Sequence, residues 1–225
     1  DSAAVAACYG SVSAVTFAAG ITFLEAQQMN SDGHMVAIMA LMEAPAIVMG
    51  MFLMRRYDRS GDSKSSMFEM IKHSLTNGSV LLILGSLIIG IVADSKQAEG
   101  IKPFTNDIFK GFLAIFLLEM GMLTAKRCAA FRKYGFFIIA IALILPLING
   151  IGVALCSKLV TDSDANRFMF AVLAASASFI AVPAAMRISN PKSDPGLYLP
   201  MSLGLNFPFN ITLGMPIYYY VIQLT

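Results

Sequence analysis

Seven apolar stretches, most of them about as long as a bilayer is thick, constrain this chain more than anything else in it. They cover roughly residues 3–23, 35–54, 80–93, 108–124, 134–156, 168–187 and 197–223. A helix needs about 20 apolar residues to cross the hydrocarbon layer. These segments are apolar most of the way round, whereas a helix packed on a soluble core keeps a polar face. With 57% hydrophobic and 13% charged residues, the composition agrees. Inside lipid every backbone N–H and C=O must be satisfied within the protein, which leaves helices as the spanning form. The predicted fold class is therefore all-α, a polytopic transmembrane helical bundle in the plasma (inner) membrane, with the lipid bilayer as its surroundings.

Three of these segments do not read as smooth helices, the last of them, 197–223, because it contains Asn206, Pro208, Asn210 and Pro216. In LAASASFIAVPAAMR (173–187), Ala174, Ala175, Ser176, Ala177 and Ser178 come in a row before Pro183. Proline removes a donor and clashes with the carbonyl four residues back. In hydrocarbon that defect survives only against protein or a water-filled cavity. Near the start, Gly10-Ser11-Val12-Ser13-Ala14-Val15-Thr16 can be laid over Ala175-Ser176-Ala177-Ser178-Phe179-Ile180-Ala181. Further on, Glu43-Ala44-Pro45-Ala46-Ile47 falls over Asn206-Phe207-Pro208-Phe209-Asn210. Paired interrupted segments in corresponding positions point to the binding site of a secondary transporter. The bland reading makes the serines packing glue between close helices.

Glu43 is the sharpest single residue. It lies near mid-membrane with no Lys or Arg in its own segment. A carboxylate there costs roughly 2.5–3.5 kcal/mol and usually marks an ion path. Glu43 is the candidate coupling-ion residue, with Asn206 and Asn210 as further oxygen donors to a hard cation. The Ser-x-Ser segments suit a small oxyanion, because a broken helix starts its second half with free N–H groups and partial positive charge. The candidate substrate residues are Ser11, Ser13, Thr16, Ser176, Ser178 and Ala181. Glu119, close to Lys126 and Arg127, is a weaker candidate.

Several classes are excluded. No basic stripe with interleaved aromatics marks a nucleic-acid binder. Cys8, Cys128 and Cys156 lack the paired spacing of a disulfide framework or metal cluster. His34 and His73 read as loop residues, and no hydrolase or phosphate-cradling motif is present, so the chain is not read as an enzyme and needs no cofactor.

Organisation follows from the loops. Residues 1–54 read as the last two helices of a first repeat, 55–76 as a basic cytoplasmic linker and 77–225 as a five-helix second repeat. The stretches 94–105 and 126–133 read as loops. Arg55, Arg56, Arg59, Lys64, Lys72, Lys126, Arg127, Arg132, Lys133, Arg187 and Lys192 fall on one side, which makes that side cytoplasmic. Arg167 counts as a loop charge on the other side. Asp1 opens at the mouth of an apolar segment, so upstream helices are expected.

The chain resembles the sodium-dependent bicarbonate transporter (permease) family. The resemblance rests on Gly10 to Thr16 with Glu25, Met42-Glu43-Ala44-Pro45-Ala46, and Lys110-Gly111-Phe112-Leu113 with Met120-Gly121-Met122. It continues through Ala174 to Pro183, Asn190-Pro191 and Tyr198 onward. It implies two inverted five-helix repeats, ten helices at full length of which seven spans are visible here. It also implies bicarbonate at two opposed helix breaks, Na+ coupling, a PII-like regulator on the cytoplasmic face and a homotrimer. Phe179, Ala181 and Val182 stand where the family pattern has Asp, Ser and Gly, and Ala14 and Val15 where it has Gly and Ser. Glu43 stands where an Asp is expected. The leading reading is Na+-coupled bicarbonate uptake. The alternatives are a symporter of another small anion, a passive channel, and a non-transporting receptor or interaction protein of the same fold.

Overall fold

The computed structural model describes residues 1–57, 78–183, 186 and 193–225. The described residues form helices joined by short non-helical stretches, without strands, as the apolar segments require. The linker at 58–77 and Asn190-Pro191 lie outside the described residues.

The first apolar segment is two helices, α1 (Ser2–Gly10) and α2 (Ala14–Ala26). They are separated by extended backbone at Ser11 (φ −114°, ψ 172°) and Ser13 (φ −103°, ψ 122°). Helix α3 (His34–Tyr57) runs through Pro45, although that proline supplies no N–H to the carbonyl of Leu41. Next come α4 (Gly78–Val92) and α5 (Ser95–Lys102). The predicted loop at 94–105 is thus helical. Asp94 accepts from Gln97 N–H at 2.7 Å while the Gln97 side chain accepts from Asp94 N–H at 3.1 Å. This reciprocal cap starts a helix where composition alone reads as loop.

A wide π-helical turn, Pro103–Ile108, leads into α6 (Phe109–Cys156). The predicted loop at 126–133 is helical too. Between residues 123 and 134 the chain has no Gly or Pro, and its Ala, Lys and Arg residues are good helix formers. The helix direction breaks instead at Gly135 (φ 78°, ψ 159°), a conformation essentially reserved for glycine. Helix α7 (Asp164–Ala175) is capped by Ser163, whose side chain accepts from Asn166 N–H. It stops at Ser176 (φ −70°, ψ 160°), and helix resumes at 181. The last segment is a helical run over 195–223 with π-helical stretches Pro200–Asn206 and Asn210–Gly214. Pro200, Pro208 and Pro216 each remove a donor, which favours these widened turns.

Two clusters hold the bundle. In one, α2, α3, α7 and Met215–Gln223 meet, with Phe23 stacked on Phe168 at 5.1 Å and Tyr219 edge-on to both. In the other, α1 packs on α3, on the second half of α6 and on the start of the last run. At Gly50 a Cβ would lie 2.5 Å from the Ala7 Cβ, so only glycine admits this approach of α1 to α3. Ser2–Ala26 and Gly135–Leu159 are long and apolar enough to cross a membrane. Helices α4, α5 and the first half of α6 present exposed apolar side chains, among them Leu82, Ile91, Ile101 and Phe112. Glu119 is exposed on this surface.

Arg167 is no loop charge. It is 2% exposed and donates to Ala154 O, Ile222 O, Thr225 Oγ1 and Asp164 Oδ1. Its neighbour Asn166 exchanges two hydrogen bonds with Asp32, at 2.9 and 2.7 Å, which ties the α2–α3 connection to the start of α7.

Candidate functional site

The two breaks cross. Ser13 N–H donates to Ser176 Oγ at 2.9 Å, and Ser178 N–H donates to Cys8 O at 2.8 Å. Each serine also caps the half-helix after its own break. Ser13 Oγ accepts from Thr16 N–H and Ser178 Oγ accepts from Val182 N–H, both at 3.3 Å. Serine does this well because its short hydroxyl reaches the backbone of the next turn. The second break sits deep in the bundle, for Ala175, Ser176, Ala177 and Ser178 are all buried.

The overlay of the two Ser-x-Ser segments made from sequence is imperfect in one informative place. Ser176 accepts from Ser13 N–H, so symmetry would have Ser11 accept from Ser178 N–H. The Ser178 amide goes to Cys8 O instead. Among the described residues Ser11 Oγ is left buried without a hydrogen-bond partner, and so is Thr16 Oγ1. Among the described residues no bond to the amides of Ala14 or Val15 occurs either. The start of α2 therefore holds two amides and two hydroxyls with unspent capacity. Open amides are usual in a first helical turn, but the two hydroxyls are buried, and buried polar groups are normally paired, so they point to a ligand site.

A cleft of about 230 Å³ opens at this crossing. Ser13 and Ala14 of the first break, Ser178 and Ala181 of the second, and Glu43 of α3 all line it. Glu43 is 5% exposed. Among the described residues no Lys, Arg or His lines the cleft. Its remaining lining is apolar, from Val12, Met39, Leu82, Phe179 and Ile180. Phe179 packs edge-on against Phe207 with ring centroids 5.1 Å apart.

Of the residues singled out in the sequence, Ser13, Ser178, Ala181 and Glu43 meet at the cleft; Ser11, Thr16 and Ser176 do not line it, though Ser176 and Thr16 each hydrogen-bond Ser13. Asn206 and Asn210 do not line it. Both are buried, and both donate to Ala175 O, at 3.1 and 2.8 Å. Asn210 also donates to Asn206 Oδ1 at 3.0 Å. Sequence reasoning missed Tyr218, whose hydroxyl reaches Asn210 Oδ1 at 2.9 Å and Pro146 O at 3.2 Å. It also missed Tyr9, whose hydroxyl lies 3.3 Å from Met201 O and 3.4 Å from Ala142 O. Gly150 was a readable signal for Tyr218, since any Cβ there would run into its ring. Outside the cleft, Lys110 pairs with Glu25 at 2.8 Å, joining the start of α6 to the end of α2.

Crossed broken helices in an apolar bundle, with free donors and one buried acid at the crossing, define a membrane protein of the transporter class. The chain belongs to the Na+-dependent bicarbonate transporter superfamily, whose family model matches residues 1–223. No curated protein matches it.

Proposed function

We propose that this chain works as a secondary transporter that carries bicarbonate together with Na+. The observation that carries the reading is the crossing itself, where Ser13 and Ser178 hydrogen-bond each other's segments and leave the start of α2 with unspent donors. Bicarbonate takes the amides of Ala14 and Val15 and the hydroxyls of Ser11 and Thr16, a donor set that needs no arginine. Ser176 and Ser178 shape the opposite wall, and Ala181 lets it come close. Inverted repeats related through the two breaks are the architecture this reading supports, with Na+ as cargo beside the anion.

Electrostatics supports coupling. A second negative charge about 5 Å from an ionised Glu43 would cost about 3 kcal/mol at an effective dielectric of about 20. A cation on Glu43 removes that cost, so anion and cation enter together. The Glu43 carboxylate, with the Ser13 and Ser178 hydroxyl oxygens beside it, supplies oxygen donors of the kind a hard cation takes. Uptake of radiolabelled bicarbonate into proteoliposomes, with and without an inward Na+ gradient, is the test. Saturable uptake that rises with the gradient is expected; none under either condition refutes the reading.

A second reading is favoured by Phe179, which fills one wall of the cleft with a ring. In that reading the protein is a receptor of the same fold that binds a soluble cytoplasmic partner, such as a PII-like regulator, without flux. A tight partner recovered by pull-down, with no bicarbonate uptake, would establish it. A homotrimer in the inner membrane is compatible with either reading.

A further inference from the structure

We infer that Asn206, Asn210 and Tyr218 form a clamp that positions the second helix break, and that the two asparagines are hydrogen-bond donors there, not cation ligands. The inference rests on the transport reading above and concerns how its site is held. Ala175 is the last residue of α7, so its carbonyl belongs to the partially negative end of that helix. Left free, it would be a buried carbonyl without a donor one residue before the crossing. Two side-chain amides cover it instead, at 2.8 and 3.1 Å.

The bonding fixes which way each amide points. Asn210 spends one N–H on Ala175 O and the other on Asn206 Oδ1, while its own oxygen accepts from the Tyr218 hydroxyl. All three side chains are buried, with Tyr218 at 0% exposure and both asparagines at 1%. Each asparagine oxygen is thus already accepting a hydrogen bond. The widened turns Pro200–Asn206 and Asn210–Gly214 flank the short helical turn Phe207–Phe209 and carry the two asparagines at its ends. Gly214 and Gly150 make the room that the clamp needs. A Cβ at Gly214 would lie 2.6 Å from Asn210 Oδ1, and one at Gly150 would strike the Tyr218 ring. The next residue after the clamped carbonyl is Ser176, which receives the Ser13 amide. Clamp and crossing are therefore one residue apart in the chain.

The near-isosteric change Asn210→Asp separates donor from ligand. Aspartate has no donor when ionised and a single one when protonated, so it cannot replace both amide N–H groups, yet ionised it is the better cation ligand. In proteoliposomes of the full chain, the bicarbonate half-saturation concentration is expected to rise roughly tenfold. The Na+ half-saturation concentration, measured at bicarbonate scaled to its new half-saturation, should stay put. Tyr218→Phe removes only the hydroxyl that orients Asn210 and should raise bicarbonate half-saturation a few-fold. A tighter Na+ response in Asn210→Asp, or unchanged bicarbonate half-saturation in both variants, overturns the clamp. If Asn210→Asp does not elute as a folded species, Tyr218→Phe decides alone. If the unsubstituted chain shows no saturable uptake, the transport reading fails and the clamp is judged by amide exchange at 176–178. Faster exchange there in Tyr218→Phe supports the clamp, and unchanged exchange refutes it.

Discussion

Replacing Ser176 or Ser11 by alanine removes one hydroxyl from pseudo-equivalent places, yet the two changes should have opposite signatures. Ser176 Oγ accepts the Ser13 amide at 2.9 Å, with both residues buried. Ser176→Ala leaves that N–H without a partner, at a cost of about 1–3 kcal/mol. For a chain of this length, 1 kcal/mol moves a thermal midpoint by roughly 2–4 °C, so a fall of roughly 2–12 °C follows. Ser11 Oγ is buried with no partner among the described residues. Ser11→Ala removes a hydroxyl that already bears an unmet desolvation cost, and stability should hold or rise by up to about 1 kcal/mol. If Ser11 donates to the bound anion, its loss raises bicarbonate half-saturation about tenfold, near 1.4 kcal/mol of lost binding. Thermal unfolding in detergent, run beside radiolabelled bicarbonate uptake in proteoliposomes, reads both quantities. A Ser11→Ala protein that is destabilised as much as Ser176→Ala, with unaltered half-saturation, would refute the assignment of the free hydroxyl to the ligand.

Three further outcomes are expected. Glu43→Gln keeps the side chain's size but loses its negative charge, so residual bicarbonate uptake should no longer respond to a Na+ gradient; a preserved response rules Glu43 out as the coupling residue. Gly150→Ala forces a Cβ into the Tyr218 ring, and overpacking of this kind costs about 1–3 kcal/mol, which should appear as a lowered thermal midpoint that Tyr218→Ala in the same chain partly relieves. Gly135→Ala puts an L side chain at φ 78° and should cost about 1–3 kcal/mol, whereas Gly152→Ala, where a Cβ meets nothing within 4 Å, should leave the midpoint unmoved.

The site was partly legible before any coordinates. Small residues and Ser-x-Ser at both breaks mark where a bilayer helix cannot run smoothly, because local composition decides whether a helix can continue. Glu43 stood out because a lone carboxylate amid apolar residues is costly wherever the chain folds. The helical stretches at 95–102 and 126–134 were illegible as such, since charge in a membrane protein reads as loop although Lys, Arg and Ala also favour helix. Arg167 misled for the same reason: a charged residue at a segment end looks solvated until carbonyls from the end of α6 and the C-terminal helix close over it.

Sequence alone determined that the chain lives in a bilayer, that two of its segments break, and that one acid lies among apolar residues. Those conclusions rest on residues close together in the chain, where hydrophobicity and backbone freedom are local properties. Only the tertiary structure decided which partners the freed groups take. Ser13 and Ser176 are 163 residues apart, and Asn210 and Ala175 are 35 apart. Whether an asparagine oxygen is open to an ion or an amide is committed to a carbonyl depends on distances of a few tenths of an ångström between distant segments. No pattern within one segment encodes those distances.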